Sequence, residues 1–513
     1  MTATLAEAPA EHAAPPDAPR RARVVLDLAR FETRELLLQI PVFAFLVLYV
    51  GYTAWKMFSG GDADDFPVLH YVDRATQSRP LLLGVAVLVC ANRAALRSRR
   101  NGTDTHFDVL PLRPWLRTLA HALSVVPIAL ITALVVTLEF TWAALKPGAV
   151  GHGSVFELAV GPLTVLLCGV AGVLFARSVP SSFAAPLLVV GVLMGGTFLS
   201  ATTSDARWQR WLWPDADETG AAPFPSDLLG RPAAWHALYL TGLIVLLGCA
   251  ALLVSGGRTR TVAAVTVAAL AATGAGVAGQ SAAEPPALLS ARTKASVTPE
   301  KLHTCVPHGA SRYCAFSEWS GRTADWAEVV DRVQSLAGGT AARERLTVRQ
   351  RVEARYGLRD DAALTASRTP GEVTVGTVWG GNRVPEFAVG VASVLVAGSE
   401  EAALEVCDAR VVTVMWLALG AEKDPMSALR NVRLDDSVEG SALALAPTNP
   451  VGMSTEQTRI VVELLQRPRG EVAGTVRANW TELTSPRTSL ARTAQLLGVR
   501  APAQGVGAGD SCD

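Results

Sequence analysis

From residue 38 to residue 282, long apolar runs alternate with short polar connectors, and beyond residue 282 that pattern stops. A helix crossing the roughly 30 Å hydrocarbon core needs about 20 mostly apolar residues, because its backbone groups must bond one another. Seven segments meet the requirement, at about 38–58, 80–97, 118–142, 157–177, 183–201, 234–255 and 261–281. The last, TVAAVTVAALAATGAGVAGQ, is rich in Ala, Val and Gly and has no Leu-rich centre, so six or seven spans are expected. Residues 23–38 read as a helix ahead of the first span. Val24, Leu28 and Phe31 share a stripe, while Arg23, Asp27, Arg30 and Arg34 point elsewhere. Such a helix suits the cytoplasmic membrane interface, its arginines reaching for headgroups. A plain extension of the first span fits the same residues, and Pro41 suits a bend.

Residues 283–513 pattern differently. Helical periodicity runs over 324–337, 385–398, 400–420, 455–466 and 471–497, and β-rich runs cover 345–350 and 373–379. That predicts a mixed, mostly α domain large enough to have its own core. Residues 1–20, rich in Ala, Pro and Glu, lack the charged-then-apolar pattern of a leader and are expected to be disordered.

Composition agrees with a membrane chain diluted by a soluble part. Half the residues are hydrophobic and 18% are charged, against about a quarter charged in soluble domains, and mean hydropathy is +0.29. The formal net charge is zero, which gives no footing for nucleic-acid binding. Heavy use of Ala, Arg, Gly and Val beside only five lysines points to a GC-rich bacterial genome.

Charge placement orients the spans. Arg20, Arg21, Arg23, Arg30 and Arg34 precede the first. Arg97, Arg99, Arg100, Arg113 and Arg117 follow the second, Arg177 the fourth, and Arg258 and Arg260 the sixth. The intervening loops carry Asp62, Asp64, Asp65 and Asp73, or a single lysine. The N-terminus is therefore expected in the cytoplasm and, after seven spans, residues 283–513 outside. Cysteines point the same way. Cys90, Cys168 and Cys249 fall inside spans, where reduced packing residues belong. Cys305, Cys314, Cys407 and Cys512 fall in the C-terminal part, an even number suited to two disulfides outside the cytoplasm, with Cys305–Cys314 and Cys407–Cys512 the expected pairs. The expected architecture is an α-helical polytopic membrane protein with 6–7 transmembrane helices and a mostly α, mixed α+β extracytoplasmic C-terminal domain. Its parts are 1–20 disordered, 21–37 an interfacial helix, 38–282 the transmembrane domain and 283–513 the extracytoplasmic domain. The expected location is the cytoplasmic membrane.

Few residues carry chemistry. Within the spans, ionisable side chains are scarce and each is a functional candidate. Glu139 is placed to line a pathway or pair with a cation, though a carboxylate hydrated near the outer surface fits as well. Asn92 and Arg93 close the second span, where long polar chains snorkel. His121 and His236 sit near span ends, where interfacial packing accounts for them. His303, Cys305, His308 and Cys314 lie close enough for a metal site, but outside the cytoplasm a disulfide loop is preferred, and no metal is expected. No H-E-x-x-H or G-x-S-x-G occurs, and no catalytic residue is assigned. A phosphate loop needs Gly-Lys, and Lys56, Lys146, Lys294, Lys301 and Lys423 each follow another residue.

Residues 97–117, RSRRNGTDTHFDVLPLRPWLR, combine five arginines, a break at Gly102, a Thr/Asp cluster and an apolar patch of Phe107, Val109, Leu110 and Leu112. The patch suits a short surface helix that another protein grips; a basic loop held by lipid phosphates is the alternative. With a charged helix leading into the first span, and with RRNGTDTHFDVLPLRPWLRTLAHAL after the second, residues 23–255 resemble the permease subunits of type-2 ABC exporters. GRPAAWHALYLTGL (230–243) is similar to actinobacterial members, and Trp208, Trp211 and Trp213 with Asp215, Asp217 and Glu218 mark the outer segment before it. The resemblance implies a coupling helix within 97–117, with Arg99, Arg100, Phe107, Leu110 and Arg113 facing a separate ABC ATPase, present in two copies. ATP and Mg would bind that partner and no cofactor this chain, which is then not itself an enzyme. It also implies a homodimer or a heterodimer with a sister permease, in contact with lipid, moving an amphipathic, peptide or lipid-like substrate. The family usually has six spans, so a seventh and a large outer domain are departures. The competing expectation is a membrane-anchored sensor or scaffold whose outer domain binds a ligand or an envelope protein.

Overall fold

The computed structural model describes residues 18–103, 113–179, 181, 183–202, 211–214, 223–357, 364–435, 438–448 and 450–500. The chain is mostly helical with a small sheet region. The N-terminal half runs α1 (Ala18–Leu37), α2 (Ile40–Phe58), α3 (Leu69–Ala75), α4 (Leu81–Ala95), α5 (Pro114–Leu123), α6 (Val126–Ala144), α7 (Val155–Ser178), α8 (Ala184–Thr202), α9 (Ala233–Val254), α10 (Arg260–Ser281) and α11 (Pro286–Val297). Every one of the seven apolar segments is helical. Among the described residues, five stretches are long and apolar enough to cross a membrane: α2, α5 with α6, α7, α9, and α10 with α11; α4 is apolar but shorter.

Helix α1 is a separate element and not an extension of α2. The chain turns extended at Gln39 (φ −67°, ψ 128°), and Pro41 sits in the first turn of α2, where its missing N–H costs nothing. Val25 and Ala29 pack on Ala120 of α5. Of the expected stripe, Val24 and Phe31 face away from the protein, at 50% and 53% exposure, while Leu28 packs against the Val25, Ala29 and Ala120 cluster.

The bundle closes by backbone approach at small residues, the device that drives helix association where the surroundings are as apolar as the side chains. A Cβ on Gly242 of α9 would lie 2.7 Å from the Thr273 backbone nitrogen, and one on Gly276 of α10 would lie 2.6 Å from that of Tyr239. The segment with the weakest hydropathy thus forms one of the tightest helix pairs. Asn92 does not snorkel. It is fully buried, and its Nδ2 donates to the Gly172 carbonyl of α7 at 3.3 Å.

Beyond α11 lie β1 (His303–His308), β2 (Ser311–Phe316), α12 (Thr323–Leu336), β3 (Thr347–Gln350), β4 (Glu372–Val375), α13 (Arg383–Ala397), α14 (Arg410–Leu419), β5 (Ala442–Ala444), β6 (Val451–Met453) and α15 (Thr455–Leu465). The sheet order is β1-β2-β3-β4, antiparallel in the first pair and parallel in the other two. Helix α13 is buried on all sides from Pro385 to Val396, as an all-round apolar helix must be in a core. The expected helix over 400–420 breaks after Ala403, and Asp408 bonds the Arg410 N–H at 2.9 Å where the chain resumes its helix. The expected helix over 471–497 is three pieces, split at Asn479 and again near Pro486, with Ser489 capping the last. Cys305 and Cys314 face each other across β1 and β2 and form the expected disulfide. Cys407 is disulfide-bonded as well, while Cys512, its expected partner, lies outside the described residues. Cys90, Cys168 and Cys249 are free thiols.

Gly276 and Gly274 allow a paired test of the helix packing, since a Cβ on Gly274 meets nothing within 4 Å. Gly276→Val should destabilise the detergent-solubilised chain by roughly 1–3 kcal/mol through overpacking, and Gly274→Val should leave its melting temperature nearly unchanged. Equal effects of the two would mean that α9 and α10 do not pack this closely.

Candidate functional site

The two halves share one hydrophobic core: Val68, Val150, Phe224, Leu228 and Leu229, from connectors of the bundle, pack with Trp319, Trp326 and Phe387 of the C-terminal part. The seam is fixed by buried polar groups. Arg322, 1% exposed, donates from Nη2 to the carbonyls of Phe66 (2.7 Å), Gly148 (3.1 Å) and Pro67 (3.3 Å), from Nε to Gly148 (3.3 Å), and from Nη1 to Thr377 (3.3 Å). Burial pulls its pKa down to about 10, so it stays charged at neutral pH. Glu318 accepts the Ser226 N–H at 3.1 Å and the Ser226 hydroxyl, with His152 Nδ1 at 3.5 Å. Arg292 donates to the Leu228 carbonyl at 2.8 Å and grips Glu284 at 2.6 and 3.0 Å.

A layer of buried charge lies directly beneath. Asp73 is 1% exposed, and its Oδ2 accepts the Ser154 N–H at 2.8 Å. Burial raises Asp73 to about 6; the neighbouring Glu157 adds to that, while the Ser154 bond and Arg231 oppose it. Glu157, 5% exposed, accepts from Gln77. Arg231 donates to the His70 carbonyl and lies over the Tyr71 ring, 5.1 Å from its centroid. His70 Nε2 donates to the Phe224 carbonyl at 2.7 Å, and burial holds its pKa below the ordinary value, so the ring is neutral. Glu139 is ion-paired with Arg79, both largely buried, so the structure places it with a cation and not at a hydrated surface. Sequence reasoning reads Asp73 only as an acidic loop residue and singles out neither Arg231 nor Arg322. Their partners lie tens to hundreds of residues away, and the one available signal was an ionisable residue within or beside an apolar connector.

At the opposite end of the bundle, the short helix Arg97–Arg100 carries exposed Arg99 and Arg100, and exposed Arg113 precedes α5. Phe107 and Leu110 lie outside the described residues, so the structure describes only the two ends of the expected coupling segment. Arg97 ties that segment to α1 through Glu32 (3.2 Å) and Glu35 (3.9 Å), and His121 Nδ1 is 3.6 Å from Glu32. Glu32 is buried, and its pKa is pushed up by burial and partly restored by Arg97. His236, expected to pack at an interface, is 1% exposed and bridges Gln280 (3.0 Å) and the Pro214 carbonyl (3.1 Å). Trp211 is buried beside it; Trp208 and Asp215, Asp217 and Glu218 lie outside the described residues. His303 and His308 pack edge-to-face with Phe316 and Tyr313 flanking the disulfide, and no cluster of three metal-ligating side chains occurs among the described residues.

No family model matches this chain, and no curated protein and no solved structure matches it either. Its functional reading therefore rests on residues and geometry.

Asp73 gives the buried layer a pH signature. A folded-state pKa of about 6 against an ordinary 3.8 means that the native state binds the proton more tightly. That stabilisation is complete below pH 3.8 and is lost as pH rises to about 6. Asp73→Asn should therefore gain stability relative to the parent, by roughly 1–3 kcal/mol, between pH 4 and 6.5, with no further gain above. Thermal melts of both proteins across that range would show it, and a pH-independent difference would contradict the assignment.

Proposed function

We propose that this chain is the membrane-spanning permease subunit of an ATP-driven exporter of the type-2 ABC class. In this reading α2, α4, α5 with α6, α7, α8, α9 and α10 cross the cytoplasmic membrane, α1 lies on its inner surface, and residues 283–513 stand outside. The observation that carries the reading is the polarity of the bundle. One end presents α1, tied to Arg97 through Glu32, with exposed Arg99, Arg100 and Arg113, and the other is covered by the C-terminal part. Arginine-rich connectors belong on the cytoplasmic side. The disulfides, confined to the covered end, suit an oxidising exterior, and the free thiols of the helices suit the apolar bundle.

The mechanism proposed follows from that layout. ATP binding closes two partner ATPases, which hold the ATP and Mg. Their movement reaches residues 97–117, and the Arg97–Glu32 and His121–Glu32 contacts pass it to α1 and α5. Because α4 and α7 are packed backbone to backbone, tilting one moves the other. Two copies of the chain, or one with a sister permease, form the path between them for an amphipathic, peptide or lipid-like substrate. The sensor or scaffold reading draws its support from the same docked domain, whose ligand would then be the signal.

Affinity purification in mild detergent from the native host separates the two. A stoichiometric nucleotide-binding ATPase should co-elute, and Phe107→Glu combined with Leu110→Glu should abolish its capture without lowering the yield of the chain. Recovery of an envelope or signalling protein in place of an ATPase would overturn the exporter reading in favour of the sensor or scaffold.

A further inference from the structure

A cavity of about 220 Å³ opens where the C-terminal part meets the bundle, at the carboxyl ends of the parallel strands β3 and β4. Ligands of open parallel sheets bind outside the carboxyl ends of the strands, where the connecting loops diverge. The volume exceeds the roughly 150 Å³ that accommodates benzene in an apolar cavity. Trp379 and Phe387 supply apolar walls from the domain, and Phe224 supplies one from the bundle, held by its carbonyl bond to His70. Aromatic walls with few convergent polar groups are the common form of a small-molecule site.

The polar groups on the lining are not equivalent. Glu386 is paired with Arg383 at 2.7 Å, and both oxygens of Glu353 are held by Arg355 at 2.5–3.1 Å. Arg351 differs. Its Nη1 donates to the Thr365 carbonyl and, at 3.4 Å, to the Thr374 hydroxyl, and it has no carboxylate in ion-pair contact among the described residues. The nearby Glu400 acts on it only at longer range, its own oxygens being taken by the Ser367 and Thr374 N–H groups and the Thr374 hydroxyl. Among the described residues Nε and Nη2 of Arg351 make no hydrogen bond, which leaves two of its three guanidinium nitrogens to donate.

We propose that this cavity binds a small organic anion with an aromatic or branched apolar body, its carboxylate on Arg351 and its body against Trp379, Phe387 and Phe224. Such a ligand touches both halves of the protein, so its binding strengthens the seam by mass action. The proposal is independent of which protein occupies the basic end of the bundle.

The test uses the full chain in detergent, with 3-phenylpropionate as probe and 3-phenylpropylamine as its cationic counterpart, read by isothermal titration. Saturable binding of the anion at about 1 mM or tighter is expected, with the amine at least about tenfold weaker. Arg351→Gln should weaken the anion about tenfold or more and leave the amine nearly unchanged. Gly376→Leu fills the cavity without strain, since a Cβ there meets nothing within 4 Å, and should abolish binding of the probe while the melting temperature is kept. Absence of saturable binding, equal binding of amine and anion, or full binding by the Gly376→Leu protein would each overturn the proposal.

Discussion

The Arg322 guanidinium lies where water does not reach, so each of its N–H groups must find an acceptor inside the protein. The acceptors it finds are carbonyls of the connectors before α3 and after α6, along with one beyond β4. Hydrogen bonds to a charged group contribute about 1.5–3 kcal/mol each, and a carbonyl stripped of its partner costs about as much. The C-terminal part is therefore not tethered beside the bundle but seated on it, with Trp319 and Trp326 in the same core as Val68 and Val150. Any tilt of α3 or α6 must carry Arg322 with it or break those bonds, which makes the seam a mechanical link between the two halves.

Beneath the seam, Asp73, Glu139, Glu157, Arg79 and Arg231 place charge of both signs in a buried layer, and burial of this kind is tolerated only where partners are present. At the far end the same logic runs with exposed groups. Arg99, Arg100 and Arg113 are exposed, and Glu32 is drawn inward to bind Arg97. One end of the bundle is thus closed by its own domain, and the other is left as an accessible cationic face. That asymmetry fits a subunit that receives force at one surface and acts on a ligand at the other.

How much of this was legible in the sequence depends on the range of the interaction. Local hydropathy marks all seven helices, and Pro41 marks the turn between α1 and α2. The Cys305–Cys314 pair was readable because its members are nine positions apart. The hairpin that carries it was not, because Pro307 and two histidines dilute the strand pattern. The tight fit of α9 on α10 hid in the same Ala and Gly content that made the seventh segment look weak: residues that lower hydropathy are the ones that let backbones approach. Arg322 and Phe66 are 256 positions apart, and no local pattern reports such a partner. The Asp73 layer and the cavity beside Arg351 were hidden for that reason: Asp73 meets Ser154 from 81 positions away, and the cavity forms only where the domain meets the bundle.

Placement of the two ends on opposite sides of a membrane is the claim on which the functional account turns, and site-directed labelling in intact cells measures it. Arg30 on α1 and Arg368 in the C-terminal part both carry largely exposed side chains, 82% and 85%, and tolerate a cysteine. A membrane-impermeant maleimide should label Arg368→Cys in whole cells and Arg30→Cys only after lysis. Labelling of both in whole cells, or of Arg30→Cys alone, would contradict the account.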